Sequence, residues 1–194
     1  KTYSNKDLKE LAKGFKKAAS EFGIEIIGGD TISNEKLDIS VTIISKVSNP
    51  IYRKGMNKGD ILCYTGTLGL CKIYLERLFK NKEVPKKSKF IKPILNADFF
   101  YEIAPLITTS MDISDGLFFE LERLSKANKL GFEFFHKIDE EIGTSGEEYE
   151  ILFSFNENNL EKIKKIALKH KVKLNPFAKA VKGKYTTDCK NHHF

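Results

Sequence analysis

The densest set of oxygen ligands in this chain is Met111-Asp112-Ile113-Ser114-Asp115-Gly116-Leu117, where two carboxylates and a hydroxyl fall within four residues. Like charges held so close disfavour ionisation unless a cation lies between them, and an oxygen-only set selects Mg²⁺ or Ca²⁺ over zinc. A plainer role is also open: Ser114 or Asp115 can cap a following helix, and capping is compatible with metal binding. Asp30 follows Gly28 and Gly29, a turn where backbone can approach a ligand closely and a carboxylate can meet a hard cation. Its ordinary alternative is an aspartate that simply ends a strand. A third acidic group, Gly146-Glu147-Glu148-Tyr149-Glu150, leaves Glu147 in a loop and able to face a ligand, against the alternative of a solvated acidic loop. In a basic protein, acids gathered at three junctions suit metal cations or a cationic ligand.

Arg53 and Lys54, in the connector YRKG, can hold phosphate oxygens, although surface charge would look the same. No GxxxxGK[ST] loop, GxSxG elbow or HExxH helix occurs. A nucleotide here would therefore be held through metal-bridged carboxylates and not in a phosphate-cradling loop.

The elements that must position these groups belong to a chain of 194 residues with 41% hydrophobic content, enough for a real core. The net charge of +7 invites a nucleic-acid reading. The kind of base argues against it, since Arg53, Arg77 and Arg123 are the only arginines and the rest is lysine, which lacks the planar fork that reads bases and phosphates. The run Lys80–Lys89 contains a proline and no aromatic, and reads as an exposed, solvated loop. Cys63, Cys71 and Cys189 form no CxxC pair, and the four histidines lack zinc-site spacing, so a reducing compartment fits. No apolar run approaches the roughly 18 to 20 residues of a membrane span. The N-terminus lacks the apolar run of a signal peptide. The expectation is a soluble cytoplasmic protein with no membrane or nucleic-acid partner.

Ser4 and Asp7 form a capping-box pattern ahead of Leu8, Leu11, Ala12, Phe15, Ala19 and Phe22 at helical spacing, with Gly23 as the stop. Ile24–Ile27 and Leu37–Val47 are expected strands. A Pro- and Gly-containing connector then marks a boundary, giving expected domains at 1–48 and 49–194. Beyond it, strands are expected at 60–66, 106–113, 131–135, 149–155 and, weakly, 177–181. Helices are expected at 70–80, 94–104, from Ser114 onward, and 159–171. Alternating strands and helices make the fold class α/β or α+β.

Taken together, IIGGDT at 26–31, YRKG followed by GDILCYTGTLG within 52–69, MDISDGL at 111–117 and SGEEYEILF at 145–153 resemble the thiamine-monophosphate kinase family. MDISDGL is the most specific of these, and the order is kept across nearly the whole chain. The family shares a superfamily with aminoimidazole ribonucleotide synthetase, selenophosphate synthetase and a hydrogenase maturation factor. The resemblance implies a two-domain architecture with mixed sheets packed by helices, a homodimer, and direct transfer of the ATP γ-phosphoryl group to thiamine monophosphate. Carried over by motif, Asp30, Asp112 and Asp115 would bind Mg²⁺, Gly29, Asp30, Arg53 and Ser114 would touch ATP, and Glu147 would contact the acceptor. Rivals are another ATP-using activity of the superfamily and a non-catalytic basic binding module. The sequence departs from the family's pattern in four places, one of them a link between SKANKLGFEFF and SGEEYEILF that is shorter than in typical relatives. The chain also starts after the family's aspartate-rich metal loop, GEEYE replaces the usual GEDYE, and Asn191 stands where relatives carry a substrate-stacking aromatic.

Overall fold

A computed structural model describes residues 3–189 and divides the chain into two compact units, Lys1–Val47 and Ser48–Phe194. In the first, helix α1 (Asn5–Phe22) starts on the expected capping box: Asp7 N–H donates to Ser4 Oγ at 3.3 Å and Ser4 N–H to Asp7 Oδ2 at 2.8 Å. Those bonds hold the Asp7 carboxyl below its ordinary value. Gly23 closes the helix in the left-handed region at φ 62°, and Ile24 N–H reaches back to Ala19 O at 2.8 Å, a Schellman stop. Neither Ile24–Ile27 nor Leu37–Val47 joins a hydrogen-bonded ladder among the described residues, contrary to expectation. β-branched residues suit a pleated, half-buried surface, but a strand is completed only by its neighbour. Here Val41, Ile43 and Ile44 stay exposed.

The second unit is an α+β domain built on five strands: β1 (Ile61–Thr65), β2 (Ile107–Asp112), β3 (Leu130–Phe134), β4 (Ile151–Phe155) and β5 (Leu174–Lys182). They lie in the order β2-β4-β1-β5-β3, and every neighbouring pair is antiparallel, so the sheet is not mixed as expected. The reason lies in the connections. β1 reaches β2 through α2 (Leu70–Phe79) and α3 (Ala97–Ile103), and β2 reaches β3 through α4 (Leu117–Asn128). These helical crossovers leave β1, β2 and β3 running the same way, with gaps between them. β4 and β5, themselves joined through α6 (Leu160–His170), fill the gaps in the opposite direction. A short helix α5 (Glu140–Gly143) precedes the acidic loop that carries Glu147.

Both faces of the sheet are covered, and the two-residue period of the strands sorts side chains between them. Leu62 and Leu152 join Leu117, Leu121 and Leu124 of α4 on one face. Ile61, Cys63, Phe153 and Phe155 meet Phe99 and Ile103 of α3 and Ile163 and Ala167 of α6 on the other. Each fully buried Leu or Phe contributes about 1.5–3 kcal/mol, so α4 is fixed against the sheet by its own stripe. That placement sets the turn before α4 at the exit of β2.

Candidate functional site at the β2–α4 turn

β2 ends at Asp112, whose side chain is exposed, and Ile113 is then wholly buried beneath the turn. The turn is zipped to the loop before β4 by three main-chain bonds. Glu147 N–H donates to Ser114 O at 2.7 Å, Tyr149 N–H to Ile113 O at 2.9 Å, and Ile113 N–H to Glu150 O at 2.9 Å. Two acidic motifs thirty residues apart in sequence thus become one rim. The contact is close enough to dictate glycine. A Cβ on Gly116 (φ 105°) would lie 3.0 Å from Thr144 C, and one on Gly146 would lie 2.8 Å from Ser114 O.

Neither Ser114 nor Asp115 caps α4; the N-cap is Gly116, with no side-chain bond. The capping role is corrected by a buried carboxylate one turn into the helix. Glu120, with a fully buried side chain, accepts from Asp115 N–H at 3.1 Å and from Ser114 Oγ at 3.4 Å. Arg123 Nη1 donates to both Glu120 oxygens at 2.8 Å, and Nη2 pairs with Asp115 Oδ2. Burial disfavours the Arg123 charge, but its bonds to Glu120 and Asp115 outweigh that, and its pKa is raised.

In the facing loop, Glu147 and Tyr149 both adopt left-handed backbone, at φ 56° and 51°. Glu147 and Tyr149 turn toward the cleft while Glu148 and Glu150 are buried. The Tyr149 hydroxyl donates to Glu147 Oε2 at 2.5 Å, and that bond, with burial and the charges of Glu147 and Asp112, pushes the phenol up to about 12. Beneath them Lys89 Nζ pairs with Glu148 Oε2 at 2.5 Å and Glu150 Oε1 at 2.9 Å, and donates to Thr67 O at 2.5 Å. Two of the ammonium's donors are used in hydrogen bonds to Glu150 and Thr67, and Glu148 adds a second ion pair. Burial works against the Lys89 charge, but the two carboxylates prevail and raise its pKa. Lys89 therefore corrects the exposed, solvated loop expected of the run Lys80–Lys89: its side chain is only 8% exposed.

The rim encloses a cleft of about 440 Å³. Ser114 and Asp115 of the turn and Glu147 and Tyr149 of the loop line it, together with Lys72 of α2 and Phe90 beyond that helix. Lys72 Nζ is held at 3.2 Å from Thr144 Oγ1. Carboxylates, one ammonium and two aromatic rings in one space suit a ligand with an aromatic or cationic part and an anionic part. A separate open depression on α1 carries Lys13, Lys16 and Lys17 and no convergent set of acids.

Other candidates lie elsewhere. The Arg53 side chain is exposed, and its carbonyl accepts from Asn128 Nδ2 at 2.8 Å. Asn128 ends α4, roughly 18 Å along the helix axis from the Ser114–Asp115 turn. Gly29 and Asp30 belong to the first unit, where both are exposed and Asp30 Oδ1 accepts from Thr31 N–H at 2.7 Å. Asn191 lies outside the described residues. Among the described residues no group of three or more His, Cys, Asp or Glu side chains is placed to hold a metal ion. Mg²⁺, however, keeps most of its waters and commonly takes one or two protein carboxylates, so Asp112 and Asp115 on one turn fit its chemistry. Arg123 now takes part of the Asp115 carboxylate that such an ion would use.

Glu120, Arg123, Lys89, Lys72 and Phe90 were not legible as site residues. The one local signal was the i, i+3 spacing of Glu120 and Arg123 on a helix, which is common on any solvated face.

Residues 1–47 match the family model of the AIR synthase related protein, N-terminal domain. The chain is 31% identical over 183 residues to the thiamine-monophosphate kinase of Nitrosopumilus maritimus, covering 84% of this chain and 59% of that one. It is 30% identical over 174 residues to the thiamine-monophosphate kinase of Pyrococcus horikoshii, covering 81% and 56% respectively. The chain thus spans a little over half the length of these curated relatives. Its fold is similar to that of AaThiL complexed with AMPPCP and TMP, with a TM-score of 0.75 and 19% identity over 98% of this chain and 69% of that one. With the family model on its first 47 residues and these relatives along most of its length, the chain is an AIRS-family protein.

Proposed function

We propose that this chain is part of an ATP-dependent phosphotransferase that converts thiamine monophosphate to thiamine diphosphate. The observation that carries the reading is the single cleft on which the turn residues Ser114 and Asp115 face the loop residue Glu147. In this reading Gly29, Asp30, Arg53 and Ser114 are ATP contacts carried over by motif, and Glu147 contacts the acceptor. The cleft chemistry agrees. Glu147 complements a cationic thiazolium or an aminopyrimidine, Tyr149 fixes the Glu147 carboxylate by its 2.5 Å bond, and Phe90 adds a flat apolar surface.

Asp30, Asp112 and Asp115 would hold Mg²⁺, which when bound neutralises phosphate charge. The remaining work falls to the protein and is mostly alignment, since phosphoryl transfer asks for reactants in line more than for covalent help. The zipped rim supplies it by fixing Ser114 and Glu147 through one 2.7 Å main-chain bond. No general base is assigned. A homodimer, a soluble cytoplasmic setting and the absence of a nucleic-acid or membrane partner belong to the same reading.

The test is chromatographic detection of thiamine diphosphate from ATP, Mg²⁺ and thiamine monophosphate, with wild type beside an Asp112→Asn/Asp115→Asn double variant. Product from the wild type and a loss of about a hundredfold or more in the variant are expected. Unchanged Mg²⁺-dependent turnover in the variant refutes the metal assignment. ATP turnover with no thiamine diphosphate would point to another acceptor.

A further inference from the structure

Glu148 lies between the two cleft-facing residues of the acidic loop, and its own side chain is fully buried. Its Oε1 accepts from Gly69 N–H at 2.7 Å, Cys71 N–H at 3.1 Å and Ser145 Oγ at 2.6 Å. The first two are unpaired donors at the start of α2, whose N-cap Gly69 has no side chain to serve them. A carboxylate 79 residues away in sequence therefore caps the helix. Its Oε2 meets Lys89, whose other two donors are committed to Glu150 and Thr67. On either side, Glu147 and Tyr149 are non-glycine residues in left-handed backbone. Such backbone is strained and persists only where the surroundings over-determine it.

We propose that Glu148 and Lys89 are a positioning pair: their buried contacts hold residues 147–149 in the path that aims Glu147 and Tyr149 into the cleft. That these two residues meet the acceptor rests on the function proposed above; that the pair sets their path does not. Neither member lines the cleft. The pair acts by making the loop, α2 and the Lys89 segment one rigid piece, so that the Glu147 carboxylate is already in place when a ligand enters. Because the charges are buried together, losing Lys89 alone leaves Glu148 and Glu150 both uncompensated, whereas losing Glu148 with it relieves the Glu148 share and leaves Glu150.

The pair is tested in the intact chain with Lys89→Met, Glu148→Gln and the double variant, using two independent readouts. Amide hydrogen exchange is expected to rise about tenfold or more at Gly69, Cys71, Glu147 and Tyr149 in Lys89→Met, with the β1–β4 ladder unchanged. The double variant should recover part of that loss, the mark of a coupled pair, the remainder reflecting Glu150 left without Lys89. The second readout is thiamine monophosphate binding by calorimetry, expected to weaken about tenfold while the KM for ATP stays fixed. Wild-type exchange at 147–149 in Lys89→Met, or a uniform loss of protection, overturns the positioning role. If the wild type binds no thiamine monophosphate, the acceptor assignment fails while the exchange experiment still decides the pair. Should either charge variant fail to fold, Ser145→Ala removes one contact to Glu148 and must raise exchange at the same four amides.

Discussion

Replacing Gly146 with alanine presses on the joint between the two acidic motifs. The added methyl would lie 2.8 Å from Ser114 O, a main-chain atom that cannot rotate away. An ordinary carbon–oxygen contact needs about 3.4 Å or more, so the loop must back away from the turn by roughly 0.6 Å. The 2.7 Å bond from Glu147 N–H to Ser114 O lies directly in that path. Overpacking of this kind costs about 1–3 kcal/mol, including about 1 kcal/mol for a weakened hydrogen bond. For a chain of this size that corresponds to a fall in Tm of roughly 2–12 °C. Displacing Glu147 by half an ångström or more relative to Ser114 should also lower kcat/KM for thiamine monophosphate by about ten- to a hundredfold. Thermal unfolding by circular dichroism and the thiamine diphosphate assay measure the two effects together. A variant with unchanged Tm and unchanged kcat/KM would refute the reasoning, because it would mean that the loop and the turn are not in contact.

Two further outcomes are expected. The Tyr149 phenol is raised to about 12 in the folded protein, chiefly by its bond to Glu147, so the folded state keeps a proton that the unfolded chain releases near pH 10. Its contribution to stability is therefore complete below about pH 10 and lost as pH climbs toward about 12; Tyr149→Phe should flatten the alkaline fall in urea midpoint across that window, and an unchanged slope would count against the Glu147 bond. Cys63 and Cys71 are buried, with thiols pushed up to about 12 first by burial, so both should resist a thiol reagent at pH 8 in the native protein and react once guanidinium unfolds it. Rapid native modification of Cys71 would show that α2 opens from the rim.

Much of the local structure was legible before any fold was known. Ser4, Asp7 and Gly23 announce both ends of α1, and helical apolar spacing marks α2 and α6 to within a residue or two and α4 to within three at its start. These signals work because caps and amphipathic periods act within a turn or two of the chain. The same reasoning failed where completion depends on a distant neighbour. Leu37–Val47 has strand composition without a ladder among the described residues, and the helix expected from Ile94 begins only at Ala97.

The sequence by itself determined where carboxylates, glycines and apolar stripes fall, and hence which junctions could bind a ligand. Only the tertiary structure decided what each carboxylate does. Asp115 shares Arg123 with Glu120, Glu148 becomes the cap of a helix 79 residues away, and Lys89 leaves a solvated run to neutralise two buried acids. Spacing along a chain records none of this, because the strength of a charge depends on burial and on partners that the sheet brings together.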